Sequence, residues 1–242
     1  ATIGYPRIGP KRELKVALEK FWKGDITESE LQNVAIDLRK KNWQTQKDNG
    51  VDLISSNDFS FYDHILDTIC LLGAIPKRYK WDGKEVSLKT YFAMARGSQT
   101  SDLDVPALEM TKWFDTNYHY LVPELSKDQT FKLSSNKPFT EYEEAKKAGF
   151  DTKPVILGPL SFLLLAKGID GLKTIDLLSK ILPVYREIIK KFSDLGTEWI
   201  QIDEPILVKD LDSNVVSKIK NTLNELKKAA GSTKILVATY FE

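Results

Sequence analysis

Three stretches of this chain gather side chains able to do chemistry. The first is Gly9-Pro10-Lys11-Arg12-Glu13-Leu14-Lys15. It falls where a short extended segment should give way to a helix, and the unsatisfied amides of a helix N-terminus attract anions. Across this opening Arg7, Lys11, Arg12, Lys15, Lys20 and Lys23 face only Glu13 and Glu19. Arg12 and Lys15 stand three apart, on one expected helical face, so both can meet one extended polyanion. A solvated helix face is the plainer account of the charges taken alone. Cations at a helix start nevertheless oppose its dipole by roughly 0.3–1 kcal/mol each, an arrangement a bound anion would relieve.

The second stretch is Glu109-Met110-Thr111-Lys112-Trp113-Phe114-Asp115-Thr116-Asn117-Tyr118-His119-Tyr120. Its aromatic rings beside Lys112, Asn117 and Asp115 suit a pocket that stacks a flat ring and hydrogen-bonds its edge. They suit a core segment with polar ends equally well. The third is Asp203-Glu204-Pro205, with Asp58 in an equivalent place after an earlier strand. Carboxylates at strand ends can move protons or orient a substrate; a cap or an ion pair is the simpler role for each singly.

The chain has 242 residues, 42% hydrophobic and 29% charged, with a formal net charge of +1. That describes a soluble globular protein with no global field to recruit nucleic acid or an anionic membrane. One cysteine, Cys70, lies inside an apolar run and excludes an internal disulfide, which fits a reducing cytoplasm. With two histidines and one cysteine, a zinc site made of His and Cys within these residues is nearly excluded. No apolar run approaches the roughly 20 residues that span a bilayer, and Arg7, Lys11 and Arg12 interrupt any secretory leader.

The elements that must carry these residues follow from periodicity. Ile3 to Ile8 reads as a strand. Leu14, Leu18, Phe21 and Trp22 mark a helix stopped by Gly24. Thr27 and Glu30 form a capping-box pattern opening a helix to about Asn49. Val51 to Ser55 reads as a strand and Phe61 to Leu72 as a helix. A hairpin is expected around Asp82-Gly83, a helix near Leu88 to Ala95, and a surface helix from Glu141 to Lys147. Val155 to Leu157 reads as a buried strand. Thr174 to Leu195 reads as a helix kinked or split at Pro183. A strand over 198–203, a helix over 215–229 and a strand over 235–239 complete the series. Apolar strands alternating with long helices indicate a parallel sheet under helices, and no Gly-rich phosphate loop follows any strand. The expected fold is α/β, a (βα)8 TIM-type barrel. About five strands against the eight of a closed barrel suggest that it is incomplete, truncated before closure.

Gly4-Tyr5-Pro6-Arg7-Ile8-Gly9 with Arg12-Glu13-Leu14-Lys15 resembles the opening of the cobalamin-independent methionine synthases. So do Ser56-Asn57-Asp58-Phe59 with Tyr62-Asp63, the run from Glu109 to Tyr120, Val155-Ile156-Leu157-Gly158-Pro159, Gln201-Ile202-Asp203-Glu204-Pro205 and Thr239-Tyr240-Phe241-Glu242. The resemblance covers the whole chain in order, and the aromatic run is its most specific part. It implies a methyl transfer from 5-methyltetrahydropteroyl-polyglutamate to homocysteine, giving methionine without cobalamin. It also implies two face-to-face barrels, of which residues 1–242 would be the N-terminal one and the absent C-terminal one would carry zinc and homocysteine. By the same resemblance Arg12, Glu13, Leu14, Lys15, Lys112 and Asn117 match folate-binding positions. Arg12, Lys15 and Lys112 would pair with tail carboxylates, and Asn117 would add neutral hydrogen bonds. No catalytic residue and no metal ligand falls within these residues, so the piece alone should not catalyse. Asp203 and Glu204 echo a motif of the catalytic barrel. The expected protein is a cytoplasmic monomer that binds neither nucleic acid nor membrane. A non-catalytic scaffold or anion-binding module is the alternative; a decarboxylase-like barrel using Asp58 and Asp203 rests on fold analogy alone.

Overall fold

The computed structural model describes residues 1–241. In chain order its main elements are α1 (Glu13–Lys23), α2 (Glu28–Asp48), β1 (Ile54–Ser56), α3 (His64–Leu71) and α4 (Leu88–Arg96). There follow β2 (Ser98–Gln99), β3 (Asp104–Val105), β4 (Met110–Lys112), β5 (His119–Leu121), β6 (Glu124–Leu125) and α5 (Lys137–Lys147). The series ends with β7 (Thr152–Leu157), α6 (Pro159–Leu164), β8 (Lys167–Gly168), α7 (Leu178–Asp194), β9 (Trp199–Asp203), α8 (Ser213–Ala230) and β10 (Lys234–Ala238). The chain forms two compact units: Ala1–Phe61 with Pro138–Val155, and Tyr62–Lys137 with Ile156–Glu242. Among the described residues no helix is long and apolar enough to cross a membrane.

In the first unit β1 and β7 pair in parallel, Ile54 opposite Thr152 and Ser56 opposite Pro154. Helix α2 opens with the capping box read from the sequence: Thr27 accepts from the Glu30 amide, and Glu30 reaches back to the Thr27 amide. Its inner face brings Trp43 against Ile54, Ala145 and Phe150, and the Trp43 indole donates to the Ser55 carbonyl at 3.1 Å. The indole is thereby buried with its one donor satisfied.

In the second unit β9 and β10 pair in parallel, Trp199 opposite Lys234 through Asp203 opposite Ala238. Helix α7 turns Ile181, Val184, Tyr185, Ile188, Ile189 and Phe192 inward, and α8 buries Val215, Thr222, Leu226 and Ala230 at near-helical spacing. A β4–β5 hairpin sets Lys112 opposite His119. Parallel strands joined through helices are the α/β arrangement expected from the alternation in sequence.

Several elements depart from expectation. Ile3 to Ile8 is not a strand: the Tyr5 amide donates to the Asp58 carboxylate at 2.7 Å, and Lys153 donates to the Thr2 carbonyl at 2.8 Å. Side chains take the bonds a neighbouring strand would have taken. No hairpin forms at Asp82-Gly83, where a 3-10 turn, Lys77–Tyr79, precedes an irregular loop. Helix α3 starts after Phe61 because Asp63 caps it, accepting from the Leu66 amide. Pro183 neither splits nor ends α7. Both it and Ser179, whose carbonyl it cannot serve, are exposed, so the missing bond falls on the solvent side of the helix. Helix α5 is a surface helix with one face turned inward: Glu143, Lys146 and Lys147 are exposed, while Phe139, Glu141, Tyr142 and Ala145 are buried. Of the closing motif Thr239-Tyr240-Phe241-Glu242, Glu242 lies outside the described residues.

Candidate functional site

The sequence places candidates in both units. In the first, the chain turns sharply into α1. Gly9 has φ 84° and Arg12 φ 62°, so Arg12 caps the helix from the left-handed region and is not part of it. The expected helical face shared by Arg12 and Lys15 is therefore absent. The amides there are already taken: Arg12 donates to the Gly9 carbonyl at 3.0 Å, Leu14 to the Ile8 carbonyl at 3.1 Å, and Lys11 to the Glu13 carboxylate at 2.9 Å. Glu13 is the helix's own anion. Bonds from its own amide and that of Lys11 hold its carboxyl below the usual range. Leu14 is fully buried and anchors the turn, leaving no side-chain surface for a ligand. Arg12 is exposed and makes no ion pair among the described residues; Lys15 lies 3.7 Å from Glu19 on the surface.

In the second unit the aromatic run folds as the β4–β5 hairpin. Its turn is closed by the Trp113 amide donating to the Tyr118 carbonyl at 2.7 Å and the Thr116 amide to the Trp113 carbonyl at 3.1 Å. Asp63 holds the hairpin to α3: one oxygen accepts from the Tyr118 hydroxyl at 3.1 Å, the other from the Leu121 and Leu66 amides, each at 3.1 Å. Burial raises the Asp63 pKa, against the lowering effect of His64 and these donors. His64 lies edge-on to Trp113 with centroids 4.7 Å apart and stacks on Tyr118 at 5.9 Å. The rings of Trp113 and Tyr120 are thus core, 5% exposed each, not a slot for a ligand ring. Lys112 and Asn117 remain exposed, at the end of β4 and in the turn. Sequence reasoning missed Asp63 as the hinge of this arrangement, although an Asp three residues before Leu66 carries a helix-cap signal.

The Asp203-Glu204 pair resolves as structure. Glu204 is fully buried, its carboxylate accepting from the Leu160 amide at 3.1 Å and the Ser161 amide at 2.7 Å at the start of α6. Asp203 accepts from the Gln201 side chain at 2.7 Å. Burial, with Asp203 adding repulsion, pushes the Glu204 pKa up to about 7 despite the bonds that lower it. A carboxyl whose folded pKa is raised weakens the fold as pH climbs. The cost is absent below the unfolded value of 4.5, grows through about 7, and reaches on the order of 3 kcal/mol above that. Glu204→Gln should therefore remove most of the decline in stability between pH 5 and 8, read by denaturant titration at both pH values. Parallel declines in the parent and the variant would refute this.

Among the described residues no group of three His, Cys, Asp or Glu side chains could hold a metal. Cys70 is buried, and burial pushes its thiol well above the usual range, away from the thiolate a metal requires. The residues present do not fit zinc.

An α/β barrel-type chain with exposed cations at its candidate site is the class that fold and side chains define. Over residues 1–242 the sequence matches the family described as "Cobalamin-independent synthase, N-terminal domain", and the chain belongs to that family. A 5-methyltetrahydropteroyltriglutamate–homocysteine methyltransferase of Salinibacter ruber is 53% identical over 100% of the chain, a match covering 32% of that protein. An enzyme of the same name, numbered 1, from Oryza sativa subsp. japonica is 51% identical over 99% of the chain and 31% of its own length. The chain thus spans about a third of the length of these relatives. A crystal structure from Listeria monocytogenes, described as a vitamin-B12 independent methionine synthase, superposes with a TM-score of 0.59. It is 18% identical and covers 97% of this chain and 63% of that one, a likeness of fold. The family resemblance read from the motifs is borne out.

Proposed function

We propose that this chain is the N-terminal, folate-binding part of a methyltransferase that moves a methyl group from 5-methyltetrahydropteroyltriglutamate to homocysteine, giving methionine. The observation that carries the reading is the exposed charge of Lys112, without an ion pair among the described residues, on a hairpin anchored by Asp63. Relatives about half identical carry the name of that methyltransferase. A triglutamate is a flexible polyanion, and an exposed lysine on a rigid turn offers its carboxylates a fixed cation. Asn117, exposed in the same turn, offers neutral hydrogen bonds. In the first unit Arg12 presents a guanidinium fork from a left-handed cap, with Lys15 one turn along α1. Glu13 and Leu14 hold that cap in shape, the one by binding the Lys11 amide and the other by burial.

In this reading residues 1–242 are the leading part of one barrel domain of a longer, cytoplasmic, monomeric protein. Homocysteine and zinc are held by residues outside this chain, and zinc would supply thiol activation there. This chain's own contribution is to bind and orient the tail, which fixes the reacting end by its far end.

The test uses the full-length enzyme. Lys112→Ala should raise the KM for triglutamyl methyltetrahydrofolate by about 3–10-fold, the size of one partly solvated charge contact, and change the monoglutamate KM little. Equal effects on both substrates would defeat the tail role. Unchanged kinetics with reduced stability would leave the chain a scaffold.

A further inference from the structure

We infer that Lys209 is a further tail-binding residue, holding a carboxylate of the polyglutamate beside Lys112. This deepens the function proposed above and rests on it. The hairpin turn between Lys112 and Asn117 contains Phe114 in the left-handed region, at φ 52°. A bulky aromatic residue adopts that conformation at a cost of about 1–3 kcal/mol, and its persistence asks what the ring is placed to do. The ring packs against Trp113, centroids 5.1 Å apart, and Phe241 at 5.0 Å, and the Lys209 ammonium sits over its face at 5.0 Å.

The backbone that presents Lys209 is fixed. It follows the 3-10 turn Pro205–Val208, in which the Leu207 amide donates to the Glu204 carbonyl at 3.1 Å and the Lys209 amide to the Ile206 carbonyl at 3.1 Å. The Ile206 amide donates to the Ser161 hydroxyl at 3.3 Å. Lys209 is exposed and has no ion-pair partner among the described residues. A cation held over a ring keeps its outward N–H donors for an anion, and the ring restricts the lysine rotamers that binding would otherwise have to freeze. Phe114 thus couples Lys209 to the turn that carries Lys112 and Asn117. A ligand with several carboxylates along one chain is the anion that two such cations fit.

The experiment measures KM and kcat of the full-length enzyme for triglutamyl and monoglutamyl methyltetrahydrofolate in Lys209→Ala, Lys209→Arg and Lys112→Ala. Lys209→Ala is expected to raise the triglutamate KM about 3–10-fold, with kcat and the monoglutamate KM nearly unchanged, and Lys209→Arg to recover most of the loss. If Lys112→Ala shifts the ratio of the two KM values and Lys209→Ala does not, this inference is wrong and the tail-binding reading stands. If neither variant shifts the ratio, both fall. A loss at Lys209 that is equal for the two substrates, or not recovered by arginine, marks a packing role and also overturns the inference.

Discussion

Arg39→Ala is expected to destabilise the protein by about 3–5 kcal/mol, because it removes the cation that faces two carboxylates. The guanidinium is 7% exposed and lies 2.6 Å from Glu144 and 3.6 Å from Glu141, itself 4% exposed. Its outer face covers the Phe59 ring at 5.3 Å. Burial lowers the arginine pKa, yet Glu141 and Glu144 outweigh burial and raise it. The loss comes from two carboxylates deprived of the cation that faces both, so it should shrink when they are neutralised. Arg39→Met with Glu141→Gln and Glu144→Gln should recover much of the lost stability in urea titrations. A single-variant loss under about 1 kcal/mol would mean the triad behaves as an ordinary surface pair.

Gly158→Ala should be comparably harmful, by about 3–5 kcal/mol, although a methyl group is all it adds. Gly158 has φ −75° and ψ 157°, which any residue adopts, so the backbone does not demand glycine. Space demands it: a Cβ there would fall on the buried Glu204 carboxyl. That carboxylate would have to leave the Leu160 and Ser161 amides, stranding two donors and a buried acid. The measurement is a double-mutant cycle with Glu204→Ala, in which Gly158→Ala should do far less damage. Additive effects would show that the glycine matters for some other reason.

What the sequence made legible was local. The Thr27–Glu30 capping box, the Gly24 stop of α1 and the helix of α8 depend on residues a few positions apart, and each stands as read. The segment from Ile3 to Ile8 is not a strand because the Tyr5 amide bonds Asp58, 53 residues away, and the Pro6 carbonyl faces Asn42, which no local pattern signals. The inward turn of Glu141 and Glu144 on α5 has no local signal, because their partner, Arg39, lies 105 residues from Glu144. In each unit the candidate cation, Arg12 in the first and Lys112 in the second, was visible as a residue type. The cap that removes Arg12 from the helix face, and the turn that sets Phe114 under Lys209, are matters of backbone conformation, which composition does not encode. For Asp203 and Glu204 a cap or an ion pair was the simpler expectation, and Glu204 does accept from the Leu160 and Ser161 amides at the start of α6.

The first unit is written in two installments, and that has a consequence during synthesis. Strand β1 and the Asn57 side chain wait for β7, with Asn57 bonding the Val155 carbonyl across 98 residues. Closing a loop of that length carries an entropic cost of about 4 kcal/mol, which local helix formation cannot repay. At roughly 5–20 residues per second, the ribosome needs on the order of 5–20 s to deliver the missing strand. Until then Trp43 lacks Ala145 and Phe150, and Arg39 lacks Glu141 and Glu144. A chain in that condition leaves apolar surface uncovered, and slowing the synthesis of residues 62–137 should lengthen its exposure to proteases.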